Sequence, residues 1–463
     1  CTSWLVHDMI YLERKGIPTV SVASAGFEKD TLASARVFGM PRVPFAVVPD
    51  VITSVPPERA KASIAERIDV VVRGLTDPEA MPDLADTGPL PERLPGEPLD
   101  FDGADQLDAL AQFNETFLEN GWSDGLPLLP PTPERVSEIL AGSTLEPEHI
   151  IGLLPPGMGI ATVQKIAVSA AMAGCEPSHL PVLIAACEAV IKMGSRARQW
   201  LMSTSPDAPI MLLNGPIVDE LGLNTGKASL GPGKQSRVNI VLGRAFRLVL
   251  MNVGHNYPTE MDMDTIGAPS KFSLCAAEPV KGGPWESLAE ERGFPTSAST
   301  VTVAGVRNLI DAADLNNFTP ERVLNTVAGG IRGGGGYFGI RWSDPDPYDR
   351  EGGGGALVIL CPDHARVCTD AGWSKDMVRD YLWAKTRVTV SGLHNGFKAN
   401  PDWLLPPWRW IMDLSPEEAG RTSFPAFNRP ERIEIVSFGG PAGKSMVMMT
   451  NGPSQTVEVQ NRS

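Results

Sequence analysis

The chain has 463 residues, 42% hydrophobic and 21% charged, which is longer than one ordinary domain and gives a soluble globular balance. No stretch approaches the roughly 18 uninterrupted apolar residues that a membrane span needs, which argues against a membrane protein. The 40 basic and 55 acidic residues leave a net charge of −15, which opposes a phosphate backbone, so neither nucleic acid nor membrane is expected as a partner.

The chain opens with SWLVHDMIYLERK at residues 3 to 15, where Leu5, Met9, Ile10 and Leu12 share a helical spacing that Gly16 and Pro18 end. A short β-branched run follows at 17–24, then a helix from Glu28 to Phe38, a strand at 44–52 and a helix from Pro56 to Arg73. Strands alternating with helices predict a parallel sheet, so residues 1–76 read as a small α/β domain. The first helix of such a unit is normally fed by a strand. The expectation is therefore a strand ending at Cys1, supplied by a cleaved, absent or separately bound segment. Residues 77–103 carry six prolines and many acids and read as an extended linker. A helix from about Ala104 to Glu119 opens the remainder, 104–463, which reads as one large mixed α/β domain. Its expected helices lie at 158–173, 180–193 and 374–386. Its expected strands lie at 209–213, 237–253, 299–303, 355–361, 386–391 and 432–438.

The six cysteines, Cys1, Cys175, Cys187, Cys275, Cys361 and Cys368, are too few for a disulfide scaffold in so long a chain and fit a reducing cytoplasm. Cys1 directly precedes Thr2 and Ser3 at the start of the first helix, where unpaired backbone N–H groups and the positive end of the helix dipole stabilise a thiolate. A self-processed N-terminal nucleophile and a lipidated cysteine are weaker readings. Such nucleophiles usually begin a strand, and a lipid anchor usually leads into a flexible tether.

The run CTSWLVHDMIYLERKGIPTVSVASAGF, with GMPRVPFAVVPD after it, resembles the UGSC-like family, which is named for a selenocysteine-or-cysteine, Gly, Ser, Cys motif at a strand-to-helix turn. Cys1 matches the last cysteine of that motif, and the reactive first position would precede it. The family is similar in turn to component B of the glycine, sarcosine and betaine reductases. The resemblance covers residues 1 to about 75. It implies a thiol-dependent reaction that cleaves or forms a carbon–heteroatom bond reductively, with Cys1 as the resolving or partner thiol. The segments NGWSDGLPLLPPTPERV (120–136), AMAGCEPSHLPV (171–182), LNGPI (213–217) and GWSKDMVRDYLW (372–383) resemble an uncharacterised domain associated with UGSC-like proteins, which brings no activity with it. The association implies one enzyme whose site lies between the two halves.

Further candidates lie in the large domain. Cys175 has Glu176 and His179 close by, and a Cys–His pair four apart can activate a thiol or bind metal; a buried helix-end cysteine is the competing reading. Cys361, His364 and Cys368 stand as C-x2-H-x3-C after a strand and can supply soft ligands to zinc or iron, although no fourth ligand stands nearby. No cofactor is required by the sequence. LNTGKASLGPGKQSRVN (223–239) offers Lys227, Lys234 and Arg237 beside glycines that can form an anion nest. The glycine clusters at 329–342 and 351–355 suggest a mobile loop, with Arg332 and Arg341 as carboxylate clamps. GHNYPTEMDMDTIG (254–267) gathers His255, Asn256, Glu260, Asp262 and Asp264, enough polar groups for acid–base work or a hard metal ion.

Taken together these residues favour a thiol-dependent enzyme acting on a small anionic substrate. Cys1, Cys175, His255 and Glu260 are its catalytic candidates, and Thr2, Ser3, Lys234, Arg237, Arg332 and Arg341 its binding candidates. A metal-dependent lyase or hydrolase is the alternative, followed by a non-catalytic thiol-relay or assembly subunit paired with a chain carrying the missing strand. A symmetric homo-oligomer is the expected assembly.

Overall fold

The computed structural model describes residues 2–40, 42–77, 98–334, 354–398, 401, 404 and 406–460. Cys1, Arg341 and most of the proline-rich stretch lie outside them.

The N-terminal unit follows its sequence. Apolar residues at helical spacing fold as the helix Thr2–Glu13, which Gly16 ends in a left-handed turn. Strands β1 (Ser21–Ser24) and β2 (Phe45–Val48) pair in parallel, and the helix Glu28–Val37 connects them. The expected helix from Pro56 to Arg73 is two, Pro57–Ala65 and Ile68–Thr76. Val6, Met9, Ile10, Ala35 and Val43 form the unit's small core.

The large unit opens with the helix Gln106–Glu119, whose first turn is capped by Asp105 accepting from the amides of Leu107 and Asp108. A hairpin of β3 (Ile150–Leu154) and β4 (Gly159–Thr162) occupies the start of the expected helix 158–173, which begins instead at Val163. The remaining strands are β5 (Ala208–Asn214), β6 (Cys275–Ala277), β7 (Thr300–Ala313), β8 (Gly355–Leu360), β9 (Arg387–Thr389), β10 (Ser423–Pro425), β11 (Ile433–Ser437), β12 (Lys444–Thr450) and β13 (Gln455–Glu458). Seven of them form one mixed sheet in the order β11-β8-β12-β7-β5-β6, with β13 also on β7. The 14-residue β7 is its spine: its first half pairs with β5 and β13, its second with β12. The fold class is α/β, with a small parallel sheet near the N-terminus and a large mixed sheet in the C-terminal region.

One expected strand is a helix. Residues 237–253 read as β-rich, yet Arg237–Asn252 is helical. Its 16 residues are too long for an ordinary strand, and Arg237, Val241 and Arg244, four and three apart, are positions left exposed or half-buried, which is helical spacing.

The period-two alternation of the strands builds two cores. Met211 and Leu213 of β5, with Val301 and Val303 of β7, pack under the helices Val163–Ala173 and Leu180–Met193. Ile210 and Leu212 turn the other way, into a cluster with Ala276 of β6, Leu357 and Ile359 of β8, Val436 of β11 and Met448 of β12. Strands from both edges share that second cluster, so the sheet curls around its own face. Its edges, β6 and β11, meet where Ser437 N donates to Oε1 of Glu278, the residue after β6, at 3.1 Å.

Candidate functional site

The start of the first helix is built around a buried carboxyl. Ser3 is fully buried, and its Oγ donates to Oδ1 of Asp30 at 2.6 Å. Asp30 stands in the first turn of the helix Glu28–Val37, and Ser34, one turn on, has its Oγ 3.4 Å from the same oxygen. Burial pushes the Asp30 carboxyl up from the usual 3.8 to about 6, against the pull of the Ser3 and Ser34 hydrogen bonds. The other oxygen, Oδ2, has no hydrogen-bond partner among the described residues. A carboxyl of this kind changes charge close to neutrality, as a proton carrier must. Asp30 escaped the sequence reading; the signal was an acid in a run whose next buried residues are Thr31, Ala33, Ser34 and Ala35.

This face packs against the large unit. Ala33 forms a buried cluster with Met202 and Met261, and Ser34 Oγ lies 3.7 Å from Met261 Sδ. Arg198, on the helix Ser195–Leu201, places its guanidinium 5.2 Å from the centre of the Phe38 ring. Its Nη2 lies 3.2 Å from Met158 Sδ, its Nε is buried without a hydrogen-bond partner, and no carboxylate pairs with it among the described residues. This half-buried arginine at the junction of the two units is a second residue not evident from sequence, because nothing in SRARQW marks one arginine from the other.

The 254–267 segment reaches the junction through Met261, and its acids serve as scaffold. Arg247, nearly fully buried, donates to Asn256 Oδ1 at 2.6 Å and to Asp262 Oδ2 at 3.1 Å. Lys271 bonds both oxygens of Asp262 and pairs with Asp264 at 2.7 Å. With two cations already on these acids, they do not form a hard-metal site. His255 adopts a left-handed φ of 55° and packs against the β3–β4 turn, where a Cβ on Gly159 would come within 2.9 Å of its Nε2. Glu260 is half-buried in the same loop.

Other expected site residues lie elsewhere. Cys175 is fully buried, and burial pushes its thiol up to about 12, so it is a core cysteine and not a nucleophile. His179 caps the turn instead of reaching it: its Nδ1 accepts from Glu176 N at 3.0 Å. Lys234 and Arg237 are exposed at the start of the helix Arg237–Asn252, about 24 Å along it from the end that leads to His255. Arg332 belongs to the helix Pro320–Gly333, not to a loop, and its Nη1 is held by Lys385 O at 2.9 Å. Gly334, just past its end, is required by packing: a Cβ there would meet Met449 Cγ at 2.6 Å.

The expected metal ligands do not converge. His364 commits one ring nitrogen to Ser445 Oγ at 2.7 Å and the other to Asp314 O at 2.9 Å, while Cys368 turns into an apolar cluster with Leu324 and Val378. No group of three metal-ligating side chains stands together among the described residues. Cys361 is the N-cap of the helix Pro362–Asp370 and pairs with His364. Burial alone would raise its thiol, but the hydrogen bonds to His364 outweigh it and leave the thiol below the ordinary cysteine range. Cys361 is only 2% exposed.

Residues 1–77 match the UGSC family. No curated protein matches the chain. No helix among the described residues is long and apolar enough to cross a membrane.

Proposed function

We propose that the protein is a thiol-dependent enzyme, working in the cytoplasm, that acts on a small anionic substrate where the N-terminal unit meets the large one. The observation that carries this reading is the buried Ser3–Asp30 pair at the head of the first helix, inside the segment that matches the UGSC family and two residues after Cys1. The helix N-terminus favours a thiolate there. The thiolate attacks carbon, a carbon–sulfur bond forms as the carbon–heteroatom bond breaks, and the leaving heteroatom takes a proton. Asp30 is suited to hold that proton near neutral pH. The two thiols are the pair that the UGSC resemblance implies at this turn, with Cys1 as one member: the second closes a disulfide with the first sulfur, and the freed carbon takes the electron pair and a proton. Arg198, half-buried at the junction, is the candidate for holding the substrate's negative charge, in place of the distant Lys234 and Arg237.

Two haloacetyl probes test the reading, one anionic and one neutral. Bromoacetate is expected to alkylate Cys1 faster than bromoacetamide despite its charge, and Arg198→Gln is expected to reverse that order by about tenfold while leaving the amide rate unchanged. Equal slowing of both probes by Arg198→Gln, or no preference in the unaltered protein, would count against an anion site at the junction.

A further inference from the structure

At the opposite end of β5 from the junction, about 20 Å along the strand, lies a cavity of about 390 Å³. Three separated stretches bring buried polar side chains to its wall: Asn214 at the end of β5, Glu278 just after β6, and Lys375 at the start of the helix Lys375–Lys385. All are more than nine-tenths buried. Asn214 and Lys375 come from LNGPI and GWSKDM, two motifs the thiol chemistry leaves unexplained.

The donors and acceptors on this wall are unevenly used. Glu278 Oε2 accepts from Asn214 Nδ2 at 2.8 Å and from Leu288 N at 2.8 Å, and its Oε1 accepts from Ser437 N alone, at 3.1 Å. Lys375 Nζ is taken by Glu291 at 2.7 Å and by Glu286 O at 3.2 Å. Asn214 Oδ1 has no hydrogen-bond partner among the described residues. The carboxylate fixes which end of that amide is oxygen, because the nitrogen must face Glu278. An unpaired buried acceptor costs on the order of 1–3 kcal/mol, and a donor brought by a ligand would remove that cost.

Charge selects among donors. Glu278, Glu286 and Glu290 line the cavity against Lys375, whose charge is already met by Glu291 outside it. Trp285 adds an aromatic wall suited to a cation. An anion would find the amides of Leu288 and Ser437 already spent on Glu278.

We propose that this cavity is a binding site for a small primary ammonium compound, which donates to Asn214 Oδ1 and Glu278 Oε1. The site is separate from the thiol site and stands whether or not that reading holds. Propylammonium, with propan-1-ol and propionate as isosteres, is the probe set, measured on the full chain by saturation-transfer NMR and calorimetry. Propylammonium is expected to bind at least about tenfold more tightly than propanol, to weaken with salt, and propionate is expected not to bind. Asn214→Ala is expected to lose about tenfold or more. Glu290→Gln, which preserves its capping role for Ser287, is expected to weaken binding more modestly and to flatten the salt dependence. Should Asn214→Ala fail to fold, the isostere series and Glu290→Gln decide alone. No propylammonium binding, which would leave a structural water as the partner of Asn214, overturns the proposal. So does equal binding of propanol, preference for propionate, or undiminished binding by a folded Asn214→Ala.

Discussion

The junction and the sheet-end cavity both bury a carboxyl, and they support it by different means. Asp30 is held by two hydroxyls of its own small unit, Ser3 and Ser34, and its second oxygen has no partner among the described residues. Glu278 is held by donors 10, 64 and 159 residues away, from three elements, which use both of its oxygens. Burial raises both carboxyls, but a proton on Glu278 would weaken bonds from three distant elements, whereas one on Asp30 meets only two local hydroxyls. The difference assigns Asp30 to chemistry and Glu278 to holding the two edges of the curled sheet together while it shapes a cavity wall.

The largest expected effect tests the fastener. Glu278→Ala leaves the amide of Asn214 and the N–H groups of Leu288 and Ser437 without their acceptor, and is expected to destabilise the large unit by about 3–5 kcal/mol in urea unfolding followed by tryptophan fluorescence. Glu278→Gln keeps one carbonyl for three donors and is expected to lose less. A loss under about 1 kcal/mol for the alanine variant would show that the sheet edges meet without this residue.

The next effect is opposite in sign and belongs to the junction. The Asp30 carboxyl is raised to about 6, so its folded form favours the proton; that contribution to stability is complete below the ordinary value of 3.8 and is lost as pH rises through 6. Asp30→Asn is therefore expected to flatten the pH dependence of stability between 4 and 6 and to gain up to about 3 kcal/mol relative to the unaltered protein above pH 6. Thermal melts across that range check it. A variant that loses stability at pH 7 would make Asp30 a fastener too and erase the contrast.

The two regions also differ in how much of them the sequence carried. The N-terminal helices and strands were legible because each element shows a clean period and Gly16 and Pro18 punctuate them. The expected meeting of two halves was legible only through the resemblance, and the structure supplies its contacts, Ala33 with Met202 and Met261. The Asp30–Ser3 bond spans 27 residues and leaves no local pattern. In the large unit, local clustering misled. The acids of 254–267 were close in sequence because Arg247 and Lys271 gather them into a scaffold, and C-x2-H-x3-C arose because a helix begins at Cys361 and turns Cys368 into the core. The cavity wall was invisible for the converse reason: Asn214, Glu278 and Lys375 meet only because strand ends and a helix start converge where the sheet closes.

Whether Cys1 is the reactive thiol is read by peptide mapping after brief exposure of the native protein to iodoacetamide at pH 6. Cys175, Cys187, Cys275, Cys361 and Cys368 are all buried, and burial raises the thiols of all but Cys361. Rapid labelling is expected at Cys1, with protection of the other five until the protein is unfolded. First labelling at Cys361, whose thiol His364 pulls below the ordinary range, or equal slowness at all six, would contradict it.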